Sequence, residues 1–315
     1  MSYSISKNTI EKAASVLEGQ IHRTPVLTSS ALNDLTGAQL FFKCENFQKI
    51  GAFKARGATY AASTLNEEER SSGFCTHSSG NHGQAVAWAA QQYGVPAFIV
   101  MPSNAPEVKK RAVRGYGAEV IECTPTLAAR ESTLIEVQKK TGAYFLHPFD
   151  DVRVIAGQAT CAKELIEDTA ALDFIIPPVG GGGLAAGSCL SAHYFSAHTK
   201  VIGGEPSGAS DAYRSLEAGK LIPLIKAETI ADGLRTSLGH HNFAILQPLM
   251  ERIILVDDDE IKAAMRLIWE RLKIVIEPSC AVPLAAVIKE PDAFRGKNIG
   301  LILTGGNVDL DSWRF

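Results

Sequence analysis

The chain has 315 residues, of which 46% are hydrophobic and 21% charged, and its formal net charge is −3 at pH 7. This composition is typical of a soluble globular protein with about two domains. Because no apolar run approaches the roughly 18 residues of a membrane span and the N-terminus lacks a signal-peptide pattern, we expect a cytoplasmic protein that does not bind membranes. The nearly balanced charges, 31 Lys and Arg against 34 Asp and Glu, favour a small-molecule ligand over nucleic acid.

Short runs rich in β-branched and aromatic residues alternate with longer segments of helical period, which predicts parallel sheets covered by helices. In chain order we predict helix 9–18, strand 40–43, helix 82–93, strand 97–101, helix 106–114, strand 119–123, helix 128–140, strand 144–147, strand 173–179, helix 184–196, strand 200–204, strand 253–256, helix 258–273, helix 281–288 and strand 299–303. The predicted fold class is therefore α/β, with two open parallel-sheet domains.

Two polar stretches, residues 66–73 and 147–151, are predicted to connect these domains. The segment 66–151 would form a small mobile domain, and the segments 1–65 and 152–315 would together form a larger one. A cleft between two such domains is where small ligands usually bind.

Four consecutive glycines, from Gly180 to Gly183, join predicted strand 173–179 to predicted helix 184–196. Glycine backbones can approach an anion closely, and the N–H groups of a helix N-terminus attract one, so this turn predicts a phosphate site. The turn also fits the G-x-G-x-x-A dinucleotide fingerprint, and Glu205 follows at a spacing suited to a ribose-binding acid. A NAD-dependent oxidoreductase is therefore an alternative at this point.

Lys54 stands between the aromatic Phe53 and the small residues Ala55 and Gly57. In such surroundings an amine can lose its water shell and become nucleophilic. A single lysine is more often a surface residue, so this segment needs support from others.

Two further segments supply that support. Residues 76–84 precede an apolar helix pattern, so their hydroxyls, amide and N–H groups can bind a carboxylate, although a simple helix cap would look similar. Residues 304–309 follow strand 299–303 at its carboxyl end, where α/β proteins bind ligands, although a tight turn is equally consistent. Together these segments predict a pyridoxal phosphate enzyme that acts on an amino acid. They would supply a nucleophilic lysine, a binding site for the substrate carboxylate, a phosphate-binding turn and a hydroxyl at the end of a strand.

These motifs resemble those of the fold-type II pyridoxal phosphate enzymes, which have the tryptophan synthase β-like fold. Within that group the chain is similar to the serine/threonine dehydratase and serine racemase family. The resemblance extends over nearly the whole chain, through segments 24–30, 43–57, 76–84, 155–158, 180–184, 229–233 and 305–309.

The resemblance implies a complete cofactor site. Lys54 would form the imine with pyridoxal 5'-phosphate, and Thr304 would meet the pyridine nitrogen. Because a neutral hydroxyl does not stabilise a protonated pyridinium as a carboxylate would, elimination or reprotonation is favoured over transamination. The other implied cofactor residues are Phe53, Asn81, Gly180, Gly181, Gly182, Gly183, Leu184, Gly233 and Glu277.

For the substrate, the resemblance implies a carboxylate loop and an arginine from the small domain. Ser79 would stand on the cofactor face opposite Lys54, so the two catalytic residues could exchange a proton with Cα from both faces. The family's dehydratases commonly have alanine at this position, so Ser79 favours the racemase-like branch. The implied substrate residues are Ser78, Ser79, Gly80, Asn81, His82, Arg130 and Thr236.

The resemblance also implies two accessory sites. Glu205, the Ala209 carbonyl and Asp211 match a divalent-cation site whose oxygen ligands suit Mg²⁺, Mn²⁺ or Ca²⁺, although a solvated acidic loop is the plainer alternative. An activating nucleotide such as ATP would bind at Ser29, Ser30, Lys49 and Tyr116. Ile50 stands where some members have a polar residue, which weakens the expectation of nucleotide activation.

The function implied is conversion of L-serine, L-threonine or 3-hydroxyaspartate to a 2-oxo acid and ammonia, with amino-acid racemase activity, by a homodimer. A dedicated L-threo-3-hydroxyaspartate ammonia-lyase is an alternative; it needs a second cation for the side-chain carboxylate, which Arg130 or Arg235 could supply. The NAD-dependent oxidoreductase and a non-catalytic amino-acid sensor are the alternatives from other classes.

Overall fold

The computed structural model of the protein describes residues 4–78, 80–105 and 107–311. Within these ranges the helices are α1 (Lys7–Leu17), α2 (Ser30–Thr36), α3 (Lys54–Ser63), α4 (Glu67–Ser71), α5 (Asn81–Tyr93), α6 (Glu107–Gly115), α7 (Leu127–Thr141), α8 (Val152–Asp168), α9 (Gly183–Phe195), α10 (Asp211–Ala218), α11 (His240–Leu249), α12 (Asp258–Leu272), α13 (Pro278–Lys289) and α14 (Pro291–Phe294). The strands are β1 (Val26–Leu27), β2 (Gln39–Cys44), β3 (Phe74–His77), β4 (Ala97–Pro102), β5 (Glu119–Cys123), β6 (Tyr144–Phe145), β7 (Phe174–Ile176), β8 (Lys200–Pro206), β9 (Met250–Val256) and β10 (Asn298–Leu303).

The described strands form two open sheets. The larger sheet has the order β1-β2-β10-β7-β8-β9, and all of its pairs are parallel except the edge pair β1 and β2. The smaller sheet has the order β5-β4-β3-β6 and is parallel throughout. This arrangement confirms the predicted α/β class with two open sheets.

The larger sheet is covered by helices on both faces. Its central strand β10 is almost wholly apolar, and Ile299, Leu301, Ile302 and Leu303 are fully buried, as expected for a parallel strand that is packed on both sides. One core contains side chains of α1, α8, α9 and α11, and the other contains side chains of α2, α12 and α13.

Helices α3, α8 and α9 pack with their backbones nearly in contact. A Cβ atom added to Gly157 would lie 2.7 Å from the Arg56 carbonyl oxygen and from the Cα of Gly57. A Cβ added to Gly187 would likewise lie 2.7 Å from the backbone nitrogen of Ala159. Only glycine fits at such approaches. The smaller sheet is formed by the chain between α3 and α8, so these two helices carry its beginning and its end.

A buried network of charges lies beneath α3. The Arg56 guanidinium, which is fully buried, donates to Glu45 at 2.7 Å and to Glu164 at 2.7 Å. Lys43, also fully buried, donates to the same Glu164 carboxylate at 2.7 Å. Because each charge has an opposite partner, the network can be buried and fixes α3 against β2 and α8.

Every predicted strand and helix has a counterpart in the structure, with ends displaced by a few residues. Several elements were not predicted, among them β3, α3 and α8. Residues 55–62 of α3 and 154–162 of α8 are buried on all sides, so these helices lack the polar face on which a helical period depends. The domain boundaries at 66 and 151 stay a prediction. No helix among the described residues is long and apolar enough to cross a membrane.

Candidate active site

The site begins where β10 and β2 end side by side, with Leu303 paired to Cys44. After β2 the chain turns back, and the Phe53 N–H donates to the carbonyl oxygen of Thr304 at 2.9 Å. Ala52 and Gly305 form an isolated antiparallel bridge. These contacts place Lys54, the first residue of α3, beside the end of the central strand.

The Lys54 amine is held away from bulk water. Its Nζ donates to the carbonyl oxygen of Pro148 at 2.7 Å and lies 5.1 Å from the centroid of the Phe53 ring. Burial lowers the pKa of Lys54 to about 8, and the nearby Glu277 opposes this shift only in part. A lysine with a pKa near neutrality has a substantial share of unprotonated, nucleophilic amine.

The four glycines that follow β7, the last of which begins α9, leave no room for side chains. A Cβ on Gly181 would lie 2.4 Å from the Phe149 ring, and one on Gly183 would lie 2.9 Å from the Phe149 carbonyl oxygen. Gly182, which caps α9, has φ of 93° and offers no side chain to the N–H groups of the first helical turn. Those N–H groups are therefore available to an anion, as expected for a phosphate site.

Two amides and an acid form a chain of contacts around Asn81. Its Nδ2 donates to Glu277 Oε1 at 2.8 Å, and its Oδ1 accepts from Asn307 at 2.9 Å. Burial raises the pKa of Glu277 to about 8, and the charge of Asp232 adds to the effect. Burial therefore favours the protonated form of Glu277. Asn307 was not predicted from the sequence.

Thr304 is buried at the end of β10. Its hydroxyl lies 3.3 Å from the Cys280 sulfur, which also accepts from the Gly305 N–H at 2.8 Å. Near by, the Gly233 N–H donates to the Ser279 hydroxyl at 3.1 Å. The first turn of α13 thus lies against both of these predicted cofactor residues.

The predicted carboxylate loop leads from β3 into the N-terminus of α5. Gly80 is the cap residue, and its N–H donates to the Ser78 hydroxyl at 3.2 Å. His82 is buried, with its Nε2 2.9 Å from the Leu146 carbonyl oxygen. Since a carbonyl only accepts, Nε2 carries the proton, and Nδ1 has no hydrogen-bond partner among the described residues. Burial holds the pKa of His82 well below its usual value. Ser79 lies outside the described residues.

Of the remaining predicted substrate residues, Arg130 lies near His77 at the start of this loop, and Thr236 lies near the glycine turn. Arg130, in α7, is half-buried, and its charge adds to the burial that lowers the pKa of His77 to about 4. Thr236 is half-buried and follows Leu234, whose Cα lies 2.9 Å from where a Cβ of Gly180 would stand. Arg235 donates through Nε to the Thr229 carbonyl at 2.8 Å.

The comparisons with known proteins agree with this geometry. Residues 17–305 match the family model described as "Pyridoxal-phosphate dependent enzyme". The chain belongs to this family. It is 50% identical to the beta-hydroxyaspartate dehydratase of Paracoccus denitrificans (strain Pd 1222), over 94% of each chain. It is 48% identical to the serine racemase of Dictyostelium discoideum, over 98% of this chain and 96% of that protein.

Solved structures show the same similarity. The crystal structure of the Dictyostelium discoideum serine racemase superposes with a TM-score of 0.92, covering 97% of this chain and 99% of that one. The structure of maize serine racemase superposes with a TM-score of 0.96 at 42% identity, covering 98% and 96%. The enzyme is therefore a fold-type II pyridoxal phosphate enzyme, and the predicted resemblance to the serine racemase and dehydratase family is confirmed.

The dinucleotide interpretation of the glycine turn is wrong. The family match identifies the cofactor as pyridoxal phosphate. In addition, both oxygens of Glu205, the supposed ribose ligand, accept N–H groups at the start of α10, from Ala212 at 2.9 Å and Tyr213 at 2.8 Å. These bonds fix the carboxylate at the start of α10 and leave each oxygen one further lone pair.

Glu205 and Asp211 are the two carboxylates of the predicted cation site. Both are fully buried, and burial raises the pKa of Glu205 to about 8 and that of Asp211 above its usual value. Asp211 accepts from the Leu238 N–H at 2.7 Å through Oδ2, whereas its Oδ1 has no hydrogen-bond partner in the described part of the chain. Within the residues that the structure describes, no three or more His, Cys, Asp or Glu side chains are placed to hold a metal ion together, so a cation here would need carbonyl and water ligands as well.

The four predicted nucleotide residues lie in three separate parts of the structure. Ser29 caps α2 and accepts from the Leu32 N–H at 3.4 Å, and Ser30 is the first residue of that helix. Lys49 lies in the 3-10 turn that leads toward α3, and the half-buried Tyr116 follows α6. Nucleotide binding by these residues stays a prediction.

Proposed function

We propose that the enzyme eliminates water from L-hydroxyamino acids, giving a 2-oxo acid and ammonia, and that it also racemises amino acids. The observation that supports this most strongly is the Lys54 amine, which has a pKa of about 8 and a fixed 2.7 Å hydrogen bond beside the end of β10. Such an amine can take a proton from a substrate carbon near neutral pH.

The residues of the site fit pyridoxal phosphate. The free N–H groups at the start of α9 suit its phosphate, and Lys54 suits its aldehyde. Thr304 would meet the ring nitrogen and Asn81 the ring hydroxyl. When bound, the cofactor supplies an electron sink for the electron pair left at the substrate Cα.

The protein's own groups bind the substrate and move its protons. The N-terminus of α5, with Gly80 and Ser78, would hold the substrate carboxylate. Lys54 Nζ takes the Cα proton, the Cβ–O bond breaks, and the hydroxide leaves as water after receiving that proton. The released enamine then hydrolyses to the 2-oxo acid and ammonia. Serine yields pyruvate, threonine yields 2-oxobutanoate and 3-hydroxyaspartate yields oxaloacetate.

Racemisation needs a second proton donor on the opposite face of the substrate. We assign this role to Ser79 on the strength of the family resemblance and of the serine racemases among the relatives. Exchange of Ser79 for alanine should impair interconversion of D- and L-serine while sparing most of the elimination from L-serine. Equal loss of both activities would contradict the role.

We also propose that a divalent cation, Mg²⁺, Mn²⁺ or Ca²⁺, binds Glu205, Asp211 and the Ala209 carbonyl. The unpaired Oδ1 of Asp211 supports this, since a buried carboxylate oxygen requires a partner. The homodimer expected from the family resemblance stays a prediction.

A dedicated 3-hydroxyaspartate ammonia-lyase is the second candidate, and the 50% identity to the Paracoccus denitrificans dehydratase favours it. Ammonia and 2-oxo acid release should be measured with serine, threonine and the isomers of 3-hydroxyaspartate, together with chiral analysis of the remaining amino acid. Release from all three substrates supports the broad function, whereas release from 3-hydroxyaspartate alone supports the dedicated one. Binding without any ammonia release would indicate a sensor and refute both.

Lys54→Ala is the decisive variant in this assay. It should abolish turnover together with the visible absorbance of the bound cofactor. Lys139→Ala, which removes an exposed lysine from α7, should retain both.

A further inference from the structure

Lys109 is a cation at the active site that the sequence did not single out. It lies in α6, and its side chain is only 14% exposed. Its amine forms an ion pair with Asp232, which is 123 residues away in the chain and precedes Gly233. A Cβ built on Gly80 would lie 3.7 Å from Lys109 Nζ, so the amine stands directly above the carboxylate loop.

The charges around Lys109 define what it can bind. Asp232 neutralises it directly, and Lys109 and Asp232 have opposite effects on the pKa of the buried acid Glu277. The N-terminus of α5 presents further positive charge at Gly80. The Lys109 amine therefore adjoins the place that we assign to the substrate α-carboxylate, and its counter-ion is an aspartate side chain.

The two arginines considered from the sequence are less suited to a second carboxylate. Arg235 donates through both Nε and Nη2 to the Thr229 carbonyl, so much of its guanidinium is already engaged. The charge of Arg130 adds to the burial that lowers the pKa of His77 and opposes the burial that raises the pKa of Cys123, so Arg130 lies beside β3 and β5 of the smaller sheet. Lys109 instead contacts a carboxylate, which is the group that a dicarboxylic substrate would present.

We propose that Lys109 determines specificity by binding the side-chain carboxylate of a dicarboxylic amino acid such as 3-hydroxyaspartate, and that this carboxylate exchanges with Asp232. The inference rests on the proposed function. A four-carbon dicarboxylate carries its two anions two carbons apart, which suits the adjacent positions of the α5 N-terminus and the Lys109 amine. Substrates with a neutral side chain, such as serine, would leave the Lys109–Asp232 pair intact.

The direct test is a calorimetric titration of the holoenzyme with succinate and with butyrate, which differ in one carboxylate and lack the amine needed to react. Wild-type enzyme should bind succinate more tightly than butyrate. Lys109→Met should weaken succinate binding by about tenfold to a hundredfold, the range for a hydrogen bond between charged groups, and leave butyrate binding nearly unchanged. Arg111→Met, which removes an exposed cation from the same helix, should keep the preference for succinate.

Either of two results would overturn the inference. One is a wild-type enzyme with no preference for succinate, including one that binds neither acid. The other is a Lys109→Met enzyme that retains the preference.

The exchange with Asp232 has its own test. Asp232→Asn removes the competing charge at nearly constant size, so it should tighten succinate binding and lower the KM for 3-hydroxyaspartate. Unchanged or weaker succinate binding would refute the exchange.

Steady-state kinetics separate this inference from the proposed function. Lys109→Met should raise the KM for 3-hydroxyaspartate far more than the KM for serine. If wild-type enzyme released no ammonia from any hydroxyamino acid, the proposed function would fail, yet the succinate titration would still decide the role of Lys109. If 3-hydroxyaspartate were turned over equally well by wild-type and Lys109→Met enzymes, only the role of Lys109 would fail.

Discussion

The Nζ atom of Lys54 donates a 2.7 Å hydrogen bond to the carbonyl oxygen of Pro148, 94 residues further along the chain. Pro148 lies between β6 and α8, on the segment by which the chain returns from the smaller sheet. A carbonyl oxygen accepts a hydrogen bond without taking up a proton, so it orients the amine, whose pKa is lowered by burial and raised in part by Glu277. The consequences for reactivity can be measured.

The first prediction concerns the pH dependence of cofactor capture. The neutral amine is the nucleophile, and it predominates above its pKa, which burial lowers to about 8. The rate at which the cofactor-free protein takes up pyridoxal phosphate, followed by absorbance, should rise about tenfold per pH unit below that value and level off above it. A rate that still rises steeply at about pH 10 would indicate an ordinary lysine.

The second prediction concerns the cation site. If Glu205 and Asp211 bind a divalent cation, adding Mg²⁺ or Mn²⁺ to protein treated with a chelator should raise Tm, by an amount corresponding to about 2.7 kcal/mol at a hundred times Kd. Glu205→Gln should strongly reduce this rise because it removes one of the two negative charges that would hold the cation. Asp259→Asn, which removes an exposed carboxylate, should leave it unchanged. A full cation response in Glu205→Gln would contradict the site.

The third prediction concerns the charge network beneath α3. Arg56→Met leaves the Glu45 carboxylate buried without its guanidinium partner, so it should lower the free energy of unfolding by about 3–5 kcal/mol, measured by urea unfolding. The double variant Arg56→Met/Glu45→Gln should lose less than the two single losses combined, since it removes both charges. Arg266→Met breaks an exposed pair with Glu270 and should cost less than about 1 kcal/mol.

The fourth prediction concerns the glycine turn. Gly181→Ala places a methyl group 2.4 Å from an atom of the Phe149 ring, so the turn must shift. We expect the affinity for pyridoxal phosphate, measured by fluorescence titration, to fall at least about tenfold, the effect of losing one hydrogen bond to a charged group. Gly115→Ala has no atom within 4 Å of the new methyl group and should bind the cofactor normally. Normal affinity in Gly181→Ala would show that the turn does not hold the phosphate.

The local sequence pattern was sufficient to predict the α/β fold class, most of its helices and strands, and the two segments that contain Lys54 and the glycine turn. Lys54 and the turn at 180–183 each stand in a short segment whose composition differs from its surroundings, and the periodic helices and apolar strands were found nearly in place. Local pattern could not reveal the pairing of Lys109 with Asp232 or of Asn81 with Asn307, because these residues are 123 and 226 positions apart. Such contacts depend on how the two sheets sit together, which no single segment encodes.

The chain leaves for the smaller sheet from α3 and returns into α8, and the backbones of these two helices nearly touch at Gly57 and Gly157. Both junctions of the intervening segment therefore belong to one tightly packed helix pair. A chimaera in which the segment between α3 and α8 comes from a relative would have both of its fusion points in this helix pair, close together in the structure. In such recombinants the grafted part would bring the carboxylate loop and Lys109 together, while the recipient would keep Lys54 and the glycine turn, so specificity could be transplanted apart from the cofactor chemistry.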